Sequence, residues 1–239
     1  MHLSIIGWLN GLISLLIVCC ASVFGILMAF ESKEKESKML LFGGLMGFFA
    51  GMLWLGPVAD FISVIITGQN LPNELVYGVL TFIWIFPLIV CSMYVGGELM
   101  LSEKKKYLVV IFSFLLGLIF DIILLSDLDG AIQACPNPGG TELYDASIVI
   151  GHPTFYLIII MLVMLFSLVV LGGIHQSLKT TGGLRRRFIY ISLAIFLFIP
   201  IAIVDAFYSE PAELVLAMRL LMLLAAWCLY LSLKIEVKF

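Results

Sequence analysis

At 239 residues, 62% hydrophobic and 12% charged, with a mean hydropathy of +1.17, the chain has too few polar side chains to coat a water-soluble globule, so lipid must be its solvent. The formal net charge of −3 is uninformative as a sum, and nothing in it suggests nucleic acid as a partner. The placement of charge is informative: of the 13 Lys and Arg residues, all except Arg219 fall in alternate gaps between long apolar runs.

A membrane-spanning helix needs about 20 apolar residues, and seven stretches qualify. The first covers 5–30; Met1 and His2 give it no cationic leader and no small-x-small cleavage site follows, so it is expected to remain as the first helix. After Lys33, Lys35 and Lys38 comes the second, 39–66, in which Gly43, Gly47 and Gly51 recur every fourth residue and present a small-residue face for close packing, within the chain or against a second copy. The third covers 75–101, and Lys104 to Lys106 lead into the fourth, 107–126. The gap 127–153 is acidic and rich in turn formers, with Asp129-Gly130 and the run from Cys135 to Gly140, and is expected to be a solvated connector or a cap. The fifth stretch, 155–174, ends before Lys179 and Arg185 to Arg187; the sixth is 188–208 and the seventh 212–233, followed by Lys234 and Lys238. Pro57, Pro87 and Pro200 are expected to kink the second, third and sixth helices.

Continuous apolar runs favour helices over the alternating strands of a membrane barrel. The expected fold is therefore one all-α domain over 1–239, a polytopic bundle of seven transmembrane helices. Because short cytoplasmic loops collect Lys and Arg, the N-terminus is expected outside and the C-terminus in the cytoplasm of a multi-pass protein of the cell membrane, with lipid as its first partner. Cys19, Cys20, Cys91 and Cys228 lie in apolar runs, which leaves Cys135 free or paired between chains.

Ionisable groups inside a span are costly and usually face the bundle interior, which makes Asp60, Glu98, Asp121, Asp205 and Arg219 the first candidates for function. Counting about 1.5 Å per residue, Asp60 and Arg219 lie at matched depths, roughly 9–10 Å from the outer surface, with Asp121 and Asp205 nearer to it. The expectation is a polar cluster in the outer half, with Arg219 as hub paired with Asp60 or Asp205, and with Asn10, Trp54, Tyr208 and His152 around the same vestibule. Against it stands the plain alternative that each charge snorkels to the headgroups. An excess of acid would suit a proton, a small cation or an amine-bearing solute. Glu98, near the inner end of its helix, is expected to make a local ion pair with Lys104.

No catalytic role, metal or cofactor is expected. The last helix has no mid-depth lysine to carry retinal, His2, His152 and His175 lie near interfaces, and none of the common hydrolase or phosphate-binding motifs occurs. The segments from Gly183 to Phe188, Ile203 to Ala206, and Arg219 through Tyr230 resemble the end of the seven-helix sensor domains that precede prokaryotic histidine kinases. That resemblance implies an outside start, an inside end and ligand sensing; with no output domain after Phe239, signalling would pass to a separate cytoplasmic protein, for which Arg185 to Arg187 offer a docking patch. A small solute or proton-coupled transporter built of two three-helix repeats, with Pro57 and Asp60 echoed by Pro200 and Asp205, is the alternative, and an accessory subunit of a membrane complex is a third.

Overall fold

The computed structural model describes residues 3–135, 142–207 and 212–234; Tyr208, the side chain of Cys135 and the turn-forming run after it lie outside the described residues. The apolar runs form helices longer than the sequence suggests. Helix α1 spans Ile5–Glu34, capped by Ser4, whose hydroxyl accepts from the Gly7 amide at 2.9 Å. The second run is broken in two, α2 (Lys38–Met52) and α3 (Leu55–Thr67), bent by 44° at Leu53 and Trp54. The third run divides into α4 (Glu74–Phe82) and α5 (Ile85–Met100). Pro57 and Pro87 each sit third in the helix that follows the break, where the missing amide has no intrahelical acceptor to leave unsatisfied, so these prolines restart helices. Pro200 is carried inside an unbroken helix.

Helix α6 (Glu103–Ser126) leads into a short turn α7 (Leu128–Ala131) and an antiparallel pair, β1 (Ile132–Cys135) with β2 (Asp145–Ile148), in register Ile132 to Ile148. The acidic gap thus contains a small hairpin in an otherwise helical fold. His152 caps α8 (Pro153–Leu165), which passes through a π turn at Phe166–Val170 into α9 (Leu171–Lys179). Two long helices follow, α10 (Gly182–Phe207) and α11 (Ala212–Lys234). Arg185, Arg186 and Arg187 lie in the first turns of α10. Among the described residues six helical spans are long and apolar enough to cross a membrane, and the bent α2–α3 pair would make a seventh. The chain is a multi-pass membrane protein.

Packing arranges these spans as a ring. Helix α1 packs on α2, α2 on α5, α5 on the π turn and α9, these on α10, α10 on α11, and α11 back on α1. Helix α6 stands outside the ring, with α5 and α8 as its main neighbours, and turns Leu108, Ile111, Phe112, Leu115 and Ile119 to the lipid. The glycines of α2 set the closest approaches. A Cβ on Gly44 or Gly51 would collide with Met28 or Ala21 of α1, one on Gly47 with Phe24 of α1, and one on Gly43 would press on Leu233 of α11. The small-residue face is therefore filled by two helices of the same chain. Gly68, at φ +71°, ends α3 in the left-handed conformation that a side chain would resist.

Candidate functional site

One end of the ring is covered by the hairpin, whose strands rest on α4 and on α10. Asp60 of α3 fastens it. Its carboxylate is completely buried and accepts three hydrogen bonds: from the Leu71 amide at 2.7 Å, from Asn70 Nδ2 at 2.8 Å and from the Tyr144 amide at 2.7 Å. Asn70 also donates to the Glu142 carbonyl at 3.1 Å, and the Glu142 carboxylate takes the Ser4 hydroxyl. Asp60 thus holds two backbone amides outside any helix or strand, together with the Asn70 side chain, joining the α3–α4 loop to the segment leading into β2.

Arg219 of α11, 2% exposed, has other neighbours. Its Nε lies 3.9 Å from Asp205 Oδ1 of α10, and the guanidinium also sits beside Tyr77 of α4 and Asp145 of β2. Tyr77 Oη donates to Asp145 Oδ1 at 3.1 Å, and the same oxygen accepts from the Ala146 amide at 3.0 Å. The polar layer is therefore Arg219, Asp205, Asp145 and Tyr77, brought together from four elements. The sequence reading did not single out Asp145 or Tyr77. The only signal for Asp145 was its place in an acidic gap, and Tyr77 is a single aromatic in an apolar run.

The remaining candidates are dispersed. Asp121 is on α6, outside the ring, with Oδ1 buried and, among the described residues, without a hydrogen-bond partner. Asn10 is buried on α1, its carbonyl accepting from Ser14 Oγ at 2.8 Å, one residue before Gly11, where a Cβ would strike the Phe61 ring. His152 pairs with Thr154 at 2.8 Å and approaches Asp127 at 3.5 Å, bracing the start of α8. Glu98 meets Lys106, at 2.7 Å, where Lys104 had been expected; Lys106 is 3% exposed, also bonds Glu103 at 2.8 Å, and lays its stem against Gly97, where a Cβ would come within 2.8 Å of it. A position one helical turn into α6 faces α5, whereas Lys104 does not. Among the described residues no group of three or more His, Cys, Asp or Glu side chains converges as a metal site.

Inside the ring lies a cavity of about 480 Å³, walled almost wholly by apolar side chains of α1, α2, α5, α8, α10 and α11. Beneath the polar layer a second cavity, of about 70 Å³, reaches Trp54, Thr81 and Asp205. Comparison of the chain with protein-family models, curated proteins and solved structures finds no match.

Burial beneath the hairpin, helped by the neighbouring Asp205 and opposed by Arg219 and the Tyr77 hydrogen bond, pushes the Asp145 carboxyl up to about 7. The folded state then holds its proton well above the range in which the unfolded carboxyl, near 4, releases it. Between those values the folded state binds more protons, so this group's contribution to stability is complete below about pH 4 and is lost as pH rises through about 7. Thermal unfolding in detergent should show wild type less stable at pH 8 than at pH 5, by an amount on the order of a few kcal/mol from this group. Asp145→Asn, which keeps an acceptor for Tyr77, should flatten that slope. An unchanged slope in the variant would place the titration elsewhere.

Proposed function

We propose that this chain is a receptor-like membrane sensor with seven crossings, its N-terminus outside and its C-terminus in the cytoplasm, which reads a proton, a small cation or an amine-bearing solute in the polar layer beneath the hairpin. The observation that carries the reading is the position of Asp145. A surface hairpin brings a carboxylate onto Tyr77, next to Arg219 and Asp205. With both carboxylates ionised, this layer holds one more negative charge than positive, which favours a cationic occupant. Binding there changes what holds the hairpin to α4 and α10.

Helix α10 connects that event to the opposite side of the membrane. Asp205 is two residues from its described end, and Arg185 to Arg187 occupy its first turns, so a shift or rotation of one rigid helix moves both. The basic run then serves as the contact for a separate cytoplasmic signalling protein or for anionic lipid. The resemblance to the sensor domains of histidine kinases points the same way, and no catalytic step is assigned to the chain. Transport of a hydrophilic solute fits less well, because the cavity inside the ring is lined almost entirely by hydrocarbon.

The test uses purified protein in liposomes. Thermal stability is followed against monovalent cations and small amines, with proton and solute flux measured in parallel, for wild type and Asp205→Asn. Stabilisation by one of these solutes that is lost in the variant, without flux, is the expected result. Flux that depends on Asp205 would make the protein a carrier, and the absence of both responses would leave it an accessory subunit.

A further inference from the structure

The ring cavity and the smaller cavity beside it share Leu88, Ser92, Leu165 and Phe198 as common walls, so they adjoin across the side chains of these four residues. The large one has the size of a small-molecule site, in the range of roughly 300–1,000 Å³. Its rim runs along Cys19, Cys20, Val23 and Leu27 in the middle of α1 and Trp227 of α11, all exposed. Those positions lie along the hydrocarbon depth of two membrane-spanning helices. A ligand using this opening arrives from the bilayer, sideways between α1 and α11, and not from water.

The small compartment contributes polarity at one point. Trp54 is 1% exposed and, among the described residues, its indole N–H has no hydrogen-bond partner and Asp205 Oδ1 makes no hydrogen bond, its ion partner Arg219 standing off at 3.9 Å. Both residues line this compartment. Thr81 and Ser92, the other polar side chains there, already donate their hydroxyl hydrogens to the Tyr77 and Leu88 carbonyls, at 3.0 and 2.7 Å. The compartment therefore offers a donor, the indole N–H, and a charged acceptor, Asp205 Oδ1, that are buried without a hydrogen bond, beside two hydroxyl oxygens that can accept further ones. A neutral hydroxyl satisfies both, accepting from the indole and donating to the carboxylate. An ammonium would serve Asp205 but leave the indole without an acceptor and bring a second cation towards Arg219; a carboxylate would meet Asp205 with like charge.

We propose that these adjoining cavities together bind an apolar alcohol taken from the membrane, with its hydrocarbon body in the ring and its hydroxyl between Trp54 and Asp205. The site goes beyond the sensing of a cation in the polar layer and does not depend on it, since its argument is the cavity and the unpaired donor and acceptor. Asp205 belongs to both, so occupancy of the cavity bears directly on the partner of Arg219.

The experiment measures binding of radiolabelled farnesol and of farnesyl methyl ether to the whole protein in lipid nanodiscs, with empty nanodiscs subtracted. The ether keeps the hydrocarbon and an acceptor but lacks the donor hydrogen. Saturable farnesol binding, about tenfold tighter than the ether, is expected from one added hydrogen bond. Trp54→Phe keeps an aromatic side chain, though a smaller one, and removes the N–H, and should weaken both ligands several-fold, its unfolding temperature being measured alongside. Ala194→Phe, which narrows the large compartment from α10, should abolish binding of both. No saturable binding above empty nanodiscs, equal affinity for alcohol and ether, or farnesol binding that survives Ala194→Phe would each overturn the proposal. If Trp54→Phe proves unstable, the ligand comparison on wild type and the Ala194→Phe variant decide it.

Discussion

Asp60→Ala should destabilise the protein by about 3–5 kcal/mol and release the hairpin from the bundle, because three donors would together lose one buried, charged acceptor. The Leu71 and Tyr144 amides and Asn70 Nδ2 all converge on this one side chain, and Asp60 is completely buried. Asp60→Asn is expected to cost nearly as much, since an amide presents one oxygen and would turn its own NH2 against a donor. This is where a fastening role and a ligand-binding role part company. A ligand site would tolerate Asn with its fold intact and its response gone. Here the loss should appear as a lower unfolding temperature and as faster amide exchange at Tyr144. An unfolding temperature within a couple of degrees of wild type in both variants would show that these hydrogen bonds contribute little.

A smaller but still large effect is expected from one methyl group at Gly51. A Cβ there would lie 2.0 Å from the Ala21 Cβ and 3.4 Å from the Ile17 carbonyl, so α1 and α2 would have to separate. Alanine has no flexible end with which to give way, and overpacking of this kind costs about 1–3 kcal/mol, more for a larger residue. Gly43→Ala is the internal comparison: its new methyl would meet the Leu233 methyls at 3.1 and 3.2 Å, which can rotate aside, and should be milder. The double variant Gly51→Ala with Ala21→Gly should recover most of the loss. Failure of that rescue would assign the effect to something other than the contact between the two helices.

The apolar runs were legible because hydrocarbon thickness and backbone hydrogen bonding leave little choice once a run of that length is apolar throughout. Their interruptions were harder to read. Pro57 and Pro87 announced a disturbance, but whether a proline bends a helix or starts a new one depends on what can cap the residues before it, and Leu53 and Trp54 give no such sign. The π turn at Phe166–Val170 lies inside a long apolar run and contains no proline or glycine to mark it. The hairpin strands are four residues each, too short for alternation to separate them from a loop.

The polar residues divide along the same line. Depth along a helix follows from counting, so Asp60, Asp205 and Arg219 could be assigned to the same half of the bundle. Rotation about the helix axis and the order of helices around the ring do not follow from counting. Those two quantities send Asp60 to the hairpin backbone, place Asp121 outside the ring on α6, and give Arg219 a neighbour, Asp145, from a segment that reads as solvated connector.

The ring has a consequence for the order in which the molecule can be assembled. Its closing contact joins the first described helix to the last, with Phe24 of α1 set edge-on against Tyr230 of α11 at 5.7 Å between ring centres. Contacts between elements so far apart in sequence form late, because the intervening chain must first be in place. Until α11 has been made and inserted, α1, α2 and α10 border a cleft that lipid can fill along its whole length. The interior is thus created in a single final step, and a nascent chain halted before that helix would have the walls of the cavity without an inside.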